Sequence, residues 1–107
     1  MAGTVLGEVQ FAVISGATGD TTLVAAQGAG IKIRVIGFAV VPAASAVVTF
    51  QSATGGTALT GAMTLTAPLW IESAAFGTFE TVANQLLNLH QTGTVQLSGW
   101  LLWCTAQ

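Results

Sequence analysis

The sequence predicts an all-β fold, an antiparallel β-sandwich of jelly-roll-like form in a single domain, and three observations carry that expectation. Apolar, β-branched runs recur along the chain, about eight or nine of them, at the spacing of roughly 8 to 12 residues that marks sandwiches and barrels. Turns rich in glycine, serine and threonine separate the runs. No segment sustains the 3.6-residue period of an amphipathic helix. At 107 residues, the chain has room for one core and buries roughly 65% of the surface its unfolded form exposes.

Residues 1–7 (MAGTVLG) are small and flexible in composition, so an arm is expected there, disordered or laid across a neighbour, with the sandwich occupying residues 8–107. Residues 8–15 (EVQFAVIS) read as the first strand, with Val9, Phe11 and Val13 on one face and Glu8, Gln10, Ala12 and Ile14 on the other. The turn at 16–20 (GATGD) has two glycines able to take positive φ, and Asp20 is placed to bond nearby backbone amides; with no other carboxylate close in sequence, calcium ligation is the weaker reading. A short strand at 21–27 (TTLVAAQ) ends at Gly28-Ala29-Gly30. Neither GK[ST] nor a helix follows that glycine pair, so it reads as a hairpin turn and not as a phosphate loop.

Residues 30–50 (GIKIRVIGFAVVPAASAVVTF) form the longest apolar stretch. Ile31, Ile33 and Val35 share one strand face and Lys32 and Arg34 the other, as in a half-solvated antiparallel strand. Past Gly37 no polar face remains. Either a β-bulge at Gly37 shifts the phase or this end is covered on both sides. After Pro42 the run resumes at 46–51 (AVVTFQ), then a loop tip at 52–56, a mild strand pattern at 57–65 (TALTGAMTL), a brief strand at 69–72 (LWIE) and a connection at 73–78 that carries Phe76. Short strands are expected again at 79–82 and in LNLH near His90, and the last at 94–105 (TVQLSGWLLWCT). If Gly99 is a bulge, Trp100 and Leu102 turn inward while Leu101 and Trp103 face out; without it the assignment reverses. Either way one tryptophan lies outside, where a subunit contact is expected.

Apolar residues make up 52% of the chain and charged ones 6%, against about 25% charged in ordinary soluble domains. A surface so poor in charge is covered by small polar residues and by partners, and it offers no basic patch to a nucleic acid. Cys104 is the only cysteine and His90 the only histidine, so an intrachain disulfide and the common zinc sets are excluded. His90 is expected at a strand end. A Cys104–His90 nucleophilic pair would need a reactive thiol, and Cys104 sits in an apolar run that keeps it protonated. Glu72 and Glu80 read as a solvated loop, or as partners of Lys32 and Arg34, before they read as a glycosidase pair. No catalytic, cofactor-binding or metal-binding residue is therefore assigned. Residues 35–50 are too short and too interrupted for the roughly 20 apolar residues of a spanning helix. The first ten residues lack the features of a secretory signal, and synthesis in the cytoplasm is expected. The candidate protein-interface residues are Trp70, Phe76, Trp100, Leu101 and Trp103, with Lys32 and Arg34 as a pair able to meet an acidic patch on a partner.

The segments GDTTLVAAQGAGIKIRVIGFAV and FETVANQLLNLHQTGTVQLSG resemble a group of small virion proteins of tailed bacteriophages, in which a TLVAA…G-KIRV hairpin precedes a central ALTG and a late F-T…G-LNL…V-VSG ending. The matching positions here are 22–26, 32–35, 58–61, 79–81 and 87–99. The chain departs from the pattern at Asn84, where glycine is usual, and in its tryptophan-rich end. The resemblance implies a jelly-roll fold, commonly a homotrimer, that decorates the capsid as a cement protein bound to the major capsid protein. A tail or fibre knob that binds a host receptor through loops 52–56 and 73–78 is the alternative within virions. A small cupin-like enzyme is the alternative from another class, and the single histidine argues against it.

Overall fold

The computed structural model describes residues 7–71 and 77–107. Most of the expected arm, Glu72 and Phe76 lie outside the described residues. Among those described there are ten strands and no helix: β1 (Gln10–Gly16), β2 (Asp20–Val24), β3 (Lys32–Pro42), β4 (Ala46–Ser52), β5 (Thr57–Ala58), β6 (Met63–Leu65), β7 (Leu69–Ile71), β8 (Phe79–Glu80), β9 (Leu87–Gln91) and β10 (Leu97–Ala106). They form two antiparallel sheets. The first runs β1-β10-β3-β7, with β8 also on β3; the second runs β2-β9-β4-β5, with β6 also on β4. Short β5 and β6 lie end to end along β4, as β7 and β8 do along β3. Counted as one broken strand each, they leave eight strands in the double Greek-key order of a jelly roll.

This order corrects the expected hairpin at residues 28–30. β2 and β3 belong to different sheets, so the turn there, closed by the Ile31 amide donating to the Gly28 carbonyl at 3.1 Å, carries the chain across the sandwich. Gly28 and Gly30 supply the positive φ it needs, 116° and 76°. The 16–20 turn is likewise a crossing, and only Gly19 of its two glycines has positive φ. Asn84, standing where the resembling proteins have glycine, has a φ of 57°, a left-handed conformation that asparagine tolerates better than most residues.

The core lies between the sheets, with Phe38 and Phe50 at 4.8 Å between ring centroids and Phe79 at 5.1 Å from Phe50. Around them pack Ile33, Val35, Val40, Val48, Leu87, Leu89, Leu97, Leu101 and Trp103. The loss of alternation in β3 has a geometric cause. Trp103 faces Val35 and Leu102 faces Gly37, which leaves Ile36 as an extra residue in β3. The bulge moves the inward positions from Ile33 and Val35 to Phe38 and Val40, so both halves of the strand feed the same core.

Gly99 is not a bulge, since the β10–β3 register runs unbroken from Leu97 to Leu102. Leu101 and Trp103 therefore point inward, 0% and 7% exposed, which corrects their assignment as interface candidates. Gly99 has another role. Its φ is 145°, and a Cβ there would collide with the Ala39 carbonyl oxygen of the neighbouring strand.

Candidate interaction surface

The outer face of the first sheet is set by strand register. Val13 of β1 stands opposite Trp100 of β10, Trp100 opposite Ala39 of β3, and Ala39 opposite Trp70 of β7. One row thus crosses the whole sheet, and Trp70 meets Trp100 edge to face at 6.3 Å. In the next row Phe11 faces Leu102 and Leu102 faces Gly37. Phe11, Val13 and Trp70 are each 65% exposed, with Val41 and Val9 also open to solvent. The result is a contiguous apolar stripe of the kind that marks interaction sites, because isolated apolar residues are common on surfaces but aromatic rows are not.

Polar rows bound the stripe at both ends. On one side Ser15 faces Ser98, with Val41 completing that row on β3. On the other, the bulge turns Lys32 and Arg34 to the outer face beside Glu80, which Arg34 contacts from Nη2 at 2.6 Å and from Nε at 3.0 Å, while Lys32 Nζ reaches its other oxygen at 3.1 Å. Burial works against the charged Glu80 carboxylate, but the hydrogen bonds and charges of Arg34 and Lys32 outweigh it and hold its pKa below the ordinary value. The two cations singled out as a docking pair are thus drawn together by a carboxylate of their own chain. A shallow cavity of about 320 Å³ lies beside them, lined by Arg34, Gly77, Thr78, Phe79 and Glu80.

The outer face of the second sheet is polar. Asn88 is fully buried although it faces outward, and its Nδ2 donates to Asp20 Oδ1 and to Gln51 Oε1, both at 2.9 Å. His90 Nδ1 lies 2.9 Å from the same Asp20 oxygen. These hydrogen bonds, Asn88 first and His90 next, lower the Asp20 pKa. Asp20 is therefore the first residue of β2, paired with His90, and not the turn residue expected from sequence. His90 does lie near a strand end, one residue before the last of β9.

Cys104 and His90 are not brought together: the thiol sits in β10 of the first sheet and the imidazole in β9 of the second. Burial raises the Cys104 pKa, with Arg34 opposing weakly. Among the described residues no three His, Cys, Asp or Glu side chains gather as a metal site, and no helix is long and apolar enough to cross a membrane.

Of the expected interface residues, Trp70 and Trp100 share the stripe, Leu101 and Trp103 belong to the core, Lys32 and Arg34 form its charged border, and Phe76 lies outside the described residues. Phe11, Val13 and Val41 were not anticipated, whereas Leu102 faces out as expected for the case without a bulge at Gly99. For Phe11 and Val13 a signal was present in 8–15, where apolar side chains occupy both parities although a strand of a two-sheet sandwich turns only one face to the core, and here Ile14 turns inward while Phe11 and Val13 turn out. Comparison of the chain with protein-family models, with curated proteins and with solved structures finds no match.

Proposed function

We propose that this protein works by assembly, as a decoration (cement) protein on the head of a tailed bacteriophage. The observation that carries the assembly reading is the row Val13–Trp100–Trp70, exposed at Val13 and Trp70 and half-buried at Trp100, with exposed Phe11 beside it, an aromatic stripe free of charge on the outer face of the first sheet. Tryptophan and phenylalanine are favoured interface anchors, and leaving them in water forfeits roughly 25 cal/mol for each Å² that a partner could cover. The virion address is supported by the sequence resemblance, and the jelly-roll topology agrees with it as fold-level analogy.

In this reading the chain is made in the host cytoplasm, forms homotrimers and docks on the major capsid protein at the capsid surface. Trimers seated over the joints between capsomers add buried area where packaged DNA pushes the shell apart. Binding energy there opposes opening of the joint, so the protein needs shape and apolar surface but no reaction chemistry. The test uses purified protein and heads of its phage prepared without it. Co-sedimentation at a fixed number of copies per head, with heads that then resist heat or dilution, is the expected result. Protein that stays in the supernatant at micromolar concentration would overturn the decoration role and favour a tail or fibre location.

A further inference from the structure

A chain of hydrogen bonds crosses three strands on the outer face of the second sheet. His90 Nδ1 and Asn88 Nδ2, both on β9, meet Asp20 Oδ1 on β2. Asn88 Nδ2 donates as well to Gln51 Oε1 on β4, and that oxygen accepts the Gly55 amide of the loop tip at 3.2 Å. Asn88 is fully buried, and its Oδ1 has no hydrogen-bond partner among the described residues. The side chain is therefore held by its two Nδ2 bonds alone, and a buried amide that loses one of two bonds is costly to keep in place. The bond to Asp20 is the stronger of the two, because its acceptor is a carboxylate.

β2 has little else to hold it. It is the outermost strand of its sheet among the described residues, its register with β9 shifts between Thr22 and Val24, and Val24 is its one buried side chain. We infer that Asp20 is a proton-sensitive latch: as its carboxylate takes up a proton in acid, β2 detaches from β9 while the rest of the sandwich stays folded. The direction follows from linkage. The hydrogen bonds of Asn88 and then His90, with burial opposing them, hold the Asp20 pKa below the ordinary 3.8. A depressed folded pKa leaves the latch engaged above the unfolded value and releases it as pH falls through the folded one. β1, β4 and β9, the strands around β2, carry no titratable side chain except His90, so no other carboxylate substitutes for Asp20. Lys32, Arg34 and Glu80 lie on the outer face of the other sheet. The consequence is an edge of β9 that is covered at neutral pH and open in acid, where its unpaired backbone groups can take another strand.

Amide hydrogen exchange followed by NMR on the full chain tests the latch, with each rate referred to that of an unstructured peptide at the same pH. Between about pH 6 and about pH 3 the amides paired between β2 and β9 should lose roughly three- to tenfold in protection, while those paired between β10 and β3 keep theirs. Asp20→Asn keeps the shape and an acceptor oxygen but not the charge. Its β2 amides should show the acid level of protection already at about pH 7, with no further loss on acidification. Glu80→Gln removes the other carboxylate whose pKa is lowered, and its β2 profile should match that of wild type. Wild-type β2 protection that stays constant over this pH range would overturn the inference without recourse to any variant. Loss of protection in β2 and β10 together, which is global acid unfolding, would overturn it too, as would Asp20→Asn protein protected like wild type at about pH 7.

Discussion

At Gly99 the backbone has a φ of 145° and passes so close to β3 that a methyl group would strike the Ala39 carbonyl oxygen. Two penalties then act together, since an L-residue is strained at that φ and the obstacle is backbone that cannot swing aside. Gly99→Ala should therefore lose about 3 kcal/mol or more, read as a lower urea midpoint with an unchanged slope. Sequence showed Gly99 as the place where alternation fails and offered a bulge to explain it; the register shows close approach of two strands instead. Glu80 illustrates a charge effect at the same scale. Its folded pKa lies below the ordinary 4.5 because Arg34 and Lys32 favour the carboxylate over the cost of its burial. A depressed folded pKa stabilises above the unfolded value, and that contribution is lost as pH falls through the folded one. Glu80→Gln should lower the melting temperature at neutral pH, and the gap to wild type should close as pH drops below 4.5; a gap constant with pH would contradict the ion-pair account.

Strands were legible from sequence where one face is buried, and ambiguous where tertiary context decides. β4 alternates without a break, Ala46, Val48, Phe50 and Ser52 inward, and its range was read almost to the residue. β3 and β10 were recognised as strands whose alternation breaks, but the cause lay in their pairing: one extra residue, Ile36, in β3 switches the phase of that strand and leaves β10 regular. The crossings between sheets were not legible, because a glycine turn that links two strands of one sheet looks like one that links two sheets. Nor was the outward turn of Phe11 and Val13, which follows from the Ile14 parity of β1 facing the second sheet. β10 gives the quantitative check, since Leu101 is fully buried and Leu102 only partly so on the outer face. Leu101→Ala should lose about 2–5 kcal/mol and Leu102→Ala about 1 kcal/mol or less of monomer stability. Equal losses by chemical denaturation at low protein concentration would contradict the assigned phase.

For the molecule as a whole, the decisive pairing is the least local. β1 and β10 are far apart in the sequence, and β10 lies between β1 and β3, so the first sheet cannot close until β10 is made. The Gly7 amide donating to the Thr105 carbonyl at 2.9 Å extends this pairing. With a single cysteine, no intrachain disulfide stands in for these contacts, and losing β10 would remove Leu97, Leu101 and Trp103 from the core together. Opening at β10 should thus coincide with global unfolding and not with local fraying. Cys104, 2% exposed two residues before the end of that strand, reports on it directly. Its thiol should resist a disulfide-exchange reagent in the native protein and react at a rate set by the unfolding equilibrium. Destabilisation by Gly99→Ala should then speed labelling by the factor its lost stability implies, about tenfold for each 1.4 kcal/mol. Labelling that ignores global stability would mean that β10 opens alone, and the sandwich would then have to hold together through its second sheet, which the central position of β10 does not allow.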